Sequence, residues 1–272
     1  MLTQPDFLMG GETPELRSVP NFRDFGGYET RDGGRVRRGL LYRSGALDRL
    51  DGADLRALEE LGICTVFDLR HDDEREAHPD RLPDGVSYVV ANPLAESPEE
   101  SPTKIARSLA TPQLAAQAFG MGGAAAFFHR IYRELVVLDS AHVALRRVYS
   151  GLARPSERPA LLHCATGKDR TGWAVAALQL WLGVPEDAVM ADFLASTSRL
   201  EPTVRPLLDD FAARGGDPEL LRPLVGVMPE YLETALAAMR STYGDVNGYF
   251  TAALGLDAVS QGLLRTAFVE EG

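Results

Sequence analysis

The strongest structural signal in the sequence is the stretch Pro159-Ala160-Leu161-Leu162-His163-Cys164-Ala165-Thr166-Gly167-Lys168-Asp169-Arg170-Thr171-Gly172. Its first five residues are mostly apolar and predict a buried strand, and residues 168–182 predict a helix that ends at Gly183. The loop between them leads directly into the helix N-terminus, where backbone N–H groups and the helix dipole favour an anion. We therefore expect a strand–loop–helix unit that binds an anionic group.

The side chains of this loop indicate what the anion is. A thiol at a helix N-terminus near cations ionises readily, so we expect Cys164 to be a thiolate, which is a competent nucleophile towards phosphorus. Arg170 follows six positions later, and its planar fork can hold two phosphoryl oxygens. Gly167 permits close backbone approach, and the Thr171 hydroxyl can stabilise the departing thiolate. The loop thus predicts covalent phosphoryl transfer.

The remaining pattern predicts an α/β fold. We expect a helix over 52–61, a strand over 63–70 that is buried on both faces, a strand over 86–91, and helices over 124–137 and 140–152. After Gly183 the chain is almost entirely helical, over about 186–196, 201–214, 217–224, 229–243, 246–254 and 257–269. This order favours a central parallel or mixed sheet flanked by helices, with an extra helical C-terminal part.

No repeat or linker divides the chain, so we predict a single domain over 16–272 after an irregular lead-in over 1–15. Residues 92–122 mix prolines with acidic and small residues and indicate a flexible or short-helix insertion.

Composition narrows the function classes. Acidic residues outnumber basic ones 39 to 28, and the formal net charge of −11 argues against general affinity for nucleic acid or anionic membranes. No signal peptide or membrane span is evident, so we expect a soluble, cytoplasmic protein, with export by another route left open. The histidines show no metal-ligand spacing, and we expect no metal and no cofactor.

Two minority residue types add to this picture. The two cysteines, Cys64 and Cys164, cannot form a disulfide framework, and Cys64 is interpreted as a small buried strand residue. The chain also has only two lysines, Lys104 and Lys168. A lysine inside the loop of so arginine-rich a chain indicates a chemical requirement for it.

The Cys-x5-Arg pattern matches the signature of the protein tyrosine phosphatase superfamily. With the rest of the chain it resembles the tyrosine phosphatase B family of mycobacteria and related bacteria, and the resemblance covers roughly residues 16–255. The other segments that carry the resemblance are Asn21-Phe22-Arg23-Asp24, Leu40-Leu41-Tyr42-Arg43-Ser44, Asp68-Leu69-Arg70, Ala191-Asp192-Phe193-Leu194, Glu230-Tyr231-Leu232 and Tyr243-Gly244.

The resemblance implies the cysteine phosphatase fold, a cysteinyl-phosphate intermediate and no metal. It implies Cys164 as nucleophile, Arg170 as phosphate clamp and Asp169 as general acid, with Asp68 as the competing acid. The remaining loop residues would bind the substrate phosphate: Ala165, Thr166, Gly167, Lys168, Thr171 and Gly172. Residues 198–228 correspond to a helical lid that could shield Cys164 from oxidation.

The resemblance leaves the substrate open. Family members hydrolyse phosphotyrosine, and some also hydrolyse phosphoserine, phosphothreonine or phosphoinositides, so the expected partner is a phosphorylated protein or a phosphoinositide. Lys168 favours a phosphoinositide. Two further hypotheses fall outside this substrate range. One is an inactive phosphotyrosine-binding module, which the presence of nucleophile, clamp and acid opposes, and the second is a thiol-based sulfur carrier with a similar loop.

Supporting roles are predicted for three further groups. We interpret His163 as a residue that orients the loop rather than as a base. For Asn21, Arg23 and Asp24 we favour a turn that braces the loop over direct contact with the substrate. The arginines between positions 31 and 43 form either a substrate-steering patch or, as we favour, a solvated face.

Overall fold

The computed structural model describes residues 16–97 and 107–271. The lead-in predicted over 1–15 and part of the predicted insertion, residues 98–106, lie outside the described residues. The strands are β1 (Arg23–Asp24), β2 (Arg35–Val36), β3 (Leu41–Ser44), β4 (Thr65–Asp68), β5 (Ser87–Val90), β6 (Ala160–His163) and β7 (Val269–Glu270).

The helices are α1 (Gly52–Glu60), α2 (Asp72–Ala77), α3 (Pro112–Phe119), α4 (Gly123–Val137), α5 (Asp139–Ala153), α6 (Arg170–Leu182), α7 (Glu186–Ala213), α8 (Arg222–Val225), α9 (Pro229–Tyr243), α10 (Val246–Gly248) and α11 (Ala258–Phe268). No helix within the described ranges is both long and apolar enough to cross a bilayer.

The central sheet has the strand order β1-β3-β6-β4-β5. Strands β3, β6, β4 and β5 are parallel, and β1 is antiparallel at the edge, so the predicted mixed sheet is confirmed. Strand β6 lies in the middle, where His163 is in register with Ser44 of β3 and Asp68 of β4. The carboxyl end of a parallel sheet is where ligand sites form, and the loop after β6 leaves the sheet there.

Neighbouring strand residues point to opposite faces of the sheet. Both faces carry apolar side chains here, and helices cover both of them. Val66 packs with Leu58 of α1 on one face. Phe67, the next residue, belongs to the larger core on the other face, with Tyr149 of α5 and Trp173 of α6. Nearly every residue of α6 is buried. The loop that precedes α6 is therefore anchored between a central strand and a core helix.

Helix α7 differs from its prediction. The sequence predicts two helices, over 186–196 and 201–214, with Pro202 and Pro206 in the second of them. The structure has one helix of 28 residues with both prolines inside it. Leu200 and Phe211, which flank the prolines, are buried in the core, and this packing outweighs the local helix-breaking preference.

Other C-terminal predictions are confirmed in type but differ in detail. The helix expected over 217–224 is a 3-10 turn over Pro218–Leu220 followed by the short α8. The helix expected over 246–254 is α10 followed by a π-helix over Tyr249–Ala253. In the described part of the predicted insertion, the side chain of Thr111 caps α3 by accepting from the Leu114 amide at 3.2 Å.

Candidate active site

The loop of residues 164–169 lies between the end of β6 and the first residue of α6. It is therefore at the carboxyl end of the sheet, next to the middle strand. Cys164 directly follows the strand and is only 2% exposed. Arg170 is the first residue of α6. The strand and the helix thus place the thiol and the guanidinium of the Cys-x5-Arg pattern on one short turn of chain.

Three consecutive loop carbonyls, those of residues 165–167, accept hydrogen bonds from surrounding elements. The first accepts from the amide of Ala46 at 3.0 Å. Asn21 donates through Nδ2 to the second at 3.2 Å and to the third at 2.9 Å. Arg43 donates through Nη2 to the third at 2.7 Å. The prediction that the segment at positions 21–24 braces the loop is confirmed for Asn21.

This outward binding of the carbonyls determines the direction of the loop amides. In a trans peptide the N–H points opposite to the C=O, so the amides of residues 166–168 face the inner side of the loop. Within the described residues, these amides donate to no other group. Several unpaired N–H groups that face one concavity at a helix N-terminus form an anion-binding site.

Gly167 is required by the backbone of this loop. Its φ is +69°, and a Cβ at this position would lie 2.2 Å from the carbonyl oxygen of Ser44. Any other residue would both strain the backbone and push the loop away from β3.

The guanidinium of Arg170 is held by a buried ion pair. It donates to both carboxylate oxygens of Glu74, at 2.6 and 2.9 Å, and to the carbonyl of Leu69 at 3.2 Å. Burial alone would lower the pKa of Arg170, but attraction to Glu74 and to the negative charges of Cys164 and Asp169 raises it above its usual value. Arg170 is therefore a fixed cation of the Cys-x5-Arg loop.

Glu74 is a residue of this candidate site that the sequence prediction missed. It lies in the first turn of α2, where its Oε2 accepts from the amide of His71 at 2.9 Å. The signal in the sequence is the spacing His71-x-x-Glu74, which is typical of a helix N-terminus. That spacing predicts a cap, but it does not show that the same carboxylate reaches Arg170.

Asp169 lies beside Arg170 and keeps access to the solvent, with 19% of its side chain exposed. Its Oδ1 accepts from the hydroxyl of Tyr132 at 2.9 Å and from Lys168 Nζ at 3.0 Å. The same ammonium lies 4.5 Å from the centre of the Phe128 ring, in a cation–π contact. Tyr132 and Phe128, both from α4, were not predicted as residues of the site.

Asp68, the competing acid, has a different environment. It is fully buried, and its carboxylate accepts from Arg70 at 2.8–3.0 Å and from the hydroxyl of Tyr88. Burial alone would raise the pKa of Asp68, but the nearby charges of His163 and Arg70 lower it below its usual value. Asp68 is thus an ionised structural partner of Arg70.

His163 joins the same cluster from β6. Its Nδ1 lies 3.2 Å from the carbonyl oxygen of Cys164, and its Nε2 lies 3.2 Å from Asp80. Burial alone would lower the pKa of His163, but Asp68 and Asp80 outweigh it and raise the pKa. A carbonyl can only accept, so Nδ1 donates to it, in agreement with the predicted orienting role.

Asp68, Asp80 and His163 lie close enough together to suggest a metal site. Arg70 already neutralises both carboxylates, at 2.8 Å from Asp68 and 2.5 Å from Asp80. The place that a cation would take is held by a guanidinium, so these residues do not fit a metal.

A second buried cluster supports the loop from the other side. Asp192 of α7 accepts from Arg23 at 2.9 Å, from Arg43 at 2.7 Å and from the hydroxyl of Tyr28 at 3.0 Å. Because Arg43 also binds the carbonyl of Gly167, this cluster connects α7 to the loop. The predicted bracing role of Arg23 acts through this cluster.

The remaining predicted loop residues are also near the turn. Thr171 is fully buried, and its Oγ1 has no hydrogen-bond partner among the described residues. Gly172 faces Phe193, whose ring a Cβ would approach to 3.1 Å. Ala165 and Thr166 line a cavity of about 760 Å³ together with residues of α7.

Cys64 does not occupy the position predicted for it. It is partly exposed and precedes β4, so its interpretation as a buried strand residue is wrong. It lies at the amino end of the sheet, and Cys164 lies at the carboxyl end. The four residues of β4 separate these two ends by roughly 13 Å, too far for a disulfide.

The arginines between positions 31 and 43 do not converge on the loop as a patch. Arg35 pairs with Glu29, and Arg37 donates to the carbonyls of Thr266 and Ala267 at the C-terminal end of α11. Arg43 alone reaches the site.

Comparison with known proteins adds independent findings. The model of the tyrosine phosphatase family matches residues 14–270. A protein of Cupriavidus necator that carries the name tyrosine-protein phosphatase is 32% identical over 243 residues, 88% of this chain and 83% of that protein. The triple specificity protein phosphatase PtpB of Mycobacterium tuberculosis is 32% identical over 259 residues, 86% of this chain and 91% of the relative. A tyrosine-protein phosphatase of Nostoc commune is 28% identical over 215 residues, 76% of this chain and 67% of the relative.

Proposed function

The chain belongs to the tyrosine phosphatase family, and on this premise we propose that it hydrolyses phosphotyrosine through a cysteinyl-phosphate intermediate on Cys164. The observation that carries the proposal is the arrangement of the loop. Its carbonyls are bound from outside, its amides face inward, and Arg170 is fixed beside them by Glu74. Such a concavity offers charge stabilisation to phosphoryl oxygens, and this is the main requirement of phosphoryl transfer.

In the first step the thiolate of Cys164 attacks phosphorus as the bond to the tyrosine oxygen breaks. Arg170 and the loop amides bind the three phosphoryl oxygens, and Asp169 transfers a proton to the leaving phenolate oxygen. The products of this step are a cysteinyl phosphate, a neutral tyrosine and an Asp169 carboxylate.

In the second step a water molecule attacks the cysteinyl phosphate. The Asp169 carboxylate accepts a proton from that water as the new P–O bond forms. The S–P bond breaks, and the sulfur leaves as a thiolate. The unpaired hydroxyl of Thr171 is available to stabilise it.

Exposure supports Asp169 rather than Asp68 as the acid. Asp169 retains 19% of its side-chain surface, whereas Asp68 has none and is fully engaged by Arg70. A proton donor must come within hydrogen-bond reach of the leaving oxygen. Of these two carboxylates, only that of Asp169 is exposed to a bound substrate.

The test compares two cysteine variants. Cys164→Ser should lower hydrolysis of p-nitrophenyl phosphate and of a phosphotyrosyl peptide on the order of 10⁴-fold or more, while binding of the peptide survives. Cys64→Ser, the same change at the other end of the sheet, should retain wild-type turnover. Turnover retained by Cys164→Ser would overturn the nucleophile assignment.

A second experiment tests the acid. Asp169→Asn should reduce turnover most for aryl phosphates with poor leaving groups, because these need protonation as the bond breaks. Equal losses for phenyl phosphate and p-nitrophenyl phosphate would remove Asp169 from this role.

A phosphoinositide phosphatase of the same mechanism is the second candidate. The observation that favours it is Lys168, a second cation on the same loop, and one relative is named a triple specificity phosphatase. In the described structure, however, the ammonium is engaged by Asp169 and the Phe128 ring. A phosphate-release screen over phosphotyrosine, phosphoserine, phosphothreonine and phosphoinositides, with Cys164→Ser as the blank, separates the candidates. We expect phosphotyrosine to be hydrolysed fastest.

A further inference from the structure

Tyr132 connects the catalytic loop to α4 through a hydrogen bond. It lies on α4, is fully buried, and donates its hydroxyl hydrogen to Asp169 Oδ1 at 2.9 Å. The ammonium of Lys168 lies 3.0 Å from Oδ1 and 2.8 Å from Oδ2 of the same carboxylate, and it is held in turn over the Phe128 ring of α4. Tyr132 thus makes a direct hydrogen bond from a buried side chain of α4 to the Asp169 carboxylate.

The ring of Tyr132 is itself held on two sides. It stacks on Tyr231 of α9, with ring centres 5.6 Å apart, and meets Phe193 of α7 edge-on at 5.9 Å. These contacts leave the ring little freedom to turn. Burial, and then the charge of Asp169, raise the pKa of Tyr132 well above 10, so the hydroxyl remains a donor at any pH at which the enzyme works.

We propose that Tyr132 is a positioning residue for acid catalysis. By donating to Oδ1 of Asp169, its hydroxyl fixes the orientation in which the carboxyl group delivers its proton to the leaving phenolate. In the second step the same contact holds the carboxylate as it accepts the proton from water. This inference rests on the proposed function, in which Asp169 is the general acid.

The test is Tyr132→Phe, which removes the hydroxyl and keeps the ring contacts. For phenyl phosphate, a poor leaving group, kcat should fall by about 10- to 100-fold. For p-nitrophenyl phosphate it should fall less than about threefold, because that leaving group needs little protonation. KM and inhibition by vanadate should stay within about twofold, since Cys164 and Arg170 are untouched. The vanadate measurement also establishes that the variant folds with an intact site.

Tyr231→Phe is the matched control. It makes the same change in the same aromatic stack, but its hydroxyl donates to the carbonyl of Pro223 at 3.3 Å and not to Asp169. It should leave the leaving-group dependence as in the wild type. A loss of the same kind in Tyr231→Phe would mean that packing, and not the hydrogen bond, matters, and the proposal would fail.

The double variant Tyr132→Phe/Asp169→Asn completes the design. If the tyrosine acts through Asp169, the double variant should be no slower than Asp169→Asn alone. Fully multiplied losses, or a Tyr132→Phe variant with the wild-type leaving-group dependence, would overturn the proposal. Failure of the acid assignment would show separately, because Asp169→Asn would then leave the leaving-group dependence unchanged.

Discussion

The guanidinium of Arg170 and the carboxylate of Glu74 face each other in a two-point ion pair, with N–O distances of 2.6 and 2.9 Å. The two side chains come from α6 and α2, which are almost 100 residues apart in the chain. Both are buried, so water cannot substitute for either partner. The pair fixes the plane of the guanidinium before any phosphate arrives, and such preorganisation is what a positioned catalytic cation requires.

We expect Glu74→Gln to reduce kcat/KM for p-nitrophenyl phosphate by about 10- to 100-fold, because a misplaced catalytic group costs rates of this order. The amide keeps the size of the side chain but presents one acceptor instead of two and no charge. Steady-state kinetics measure the effect. Glu76→Gln, the same change at an exposed position of α2, is the control and should retain the wild-type rate. Equal rates in the two variants would show that the ion pair does not orient Arg170.

Gly167 and Gly62 provide a matched pair of substitutions. Their φ angles are +69° and +68°, but a Cβ at Gly167 would lie 2.2 Å from a carbonyl oxygen, whereas nothing lies within 4 Å of one at Gly62. Gly62→Ala should cost about 1–2 kcal/mol of unfolding free energy from backbone strain alone.

Gly167→Ala should cost more stability than Gly62→Ala and lower turnover by about 100-fold, because the loop must move to relieve the clash. Urea denaturation and p-nitrophenyl phosphate kinetics measure the two effects. A Gly167→Ala enzyme with the stability of Gly62→Ala and wild-type turnover would mean that the loop tolerates displacement.

Much of this fold could be predicted from sequence because its signals are local. The apolar run before Cys164 predicts β6, and the apolar periodicity predicts α4 and α9 nearly to their observed ends. The prediction failed at α7, where two helices with a break over residues 197–200 were expected and one continuous helix is present. Burial of Leu200 and Phe211 decides that segment, and such tertiary packing leaves no mark on the local pattern.

The site residues, too, could be predicted only where they lie close together in the sequence. Cys164, Asp169 and Arg170 share one loop, so their spacing alone places them together. Glu74 and Tyr132 reach the loop only through the sheet topology and the packing of α4, across about 96 and 37 positions of sequence. A tyrosine in an apolar helix stripe looks like any other core residue until the fold shows where its hydroxyl points.

Asn21 tests how strongly the bracing of the loop matters. Asn21→Ala removes the donor to the carbonyls of Thr166 and Gly167. Gly167 keeps its bond from Arg43, but the Thr166 carbonyl loses its only protein partner in the described residues. We expect a loss of about 1–3 kcal/mol in unfolding free energy and a lower kcat. Asn247→Ala, at an exposed position, should change neither quantity. If Asn21→Ala lowers stability but leaves kcat unchanged, the brace supports the fold and not the catalytic geometry.

The Asp192 cluster gives the protein a defined response to acid. Burial alone would raise the pKa of Asp192, but the ion pairs with Arg23 and Arg43 outweigh it and bring the pKa below the usual 3.8. As the pH falls, the unfolded chain therefore takes up this proton before the folded chain does. The stabilisation by Asp192 is complete above the unfolded pKa of about 3.9 and is lost as the pH falls through the lower, folded pKa.

Asp192→Asn should therefore lower the free energy of unfolding by about 3–5 kcal/mol at pH 7, because it leaves two buried guanidinium groups without a counter-charge. The difference from the wild type should persist at pH 5 and narrow below about pH 4, because the unfolded wild-type chain then takes up a proton on Asp192 that the folded chain does not. Urea denaturation of both proteins at pH 7, 5 and 3 measures it. Asp209→Asn, an exposed change on the same helix, should follow the wild type throughout. A difference that stays constant down to pH 3 would mean that the carboxylate of Asp192 is not what balances Arg23 and Arg43.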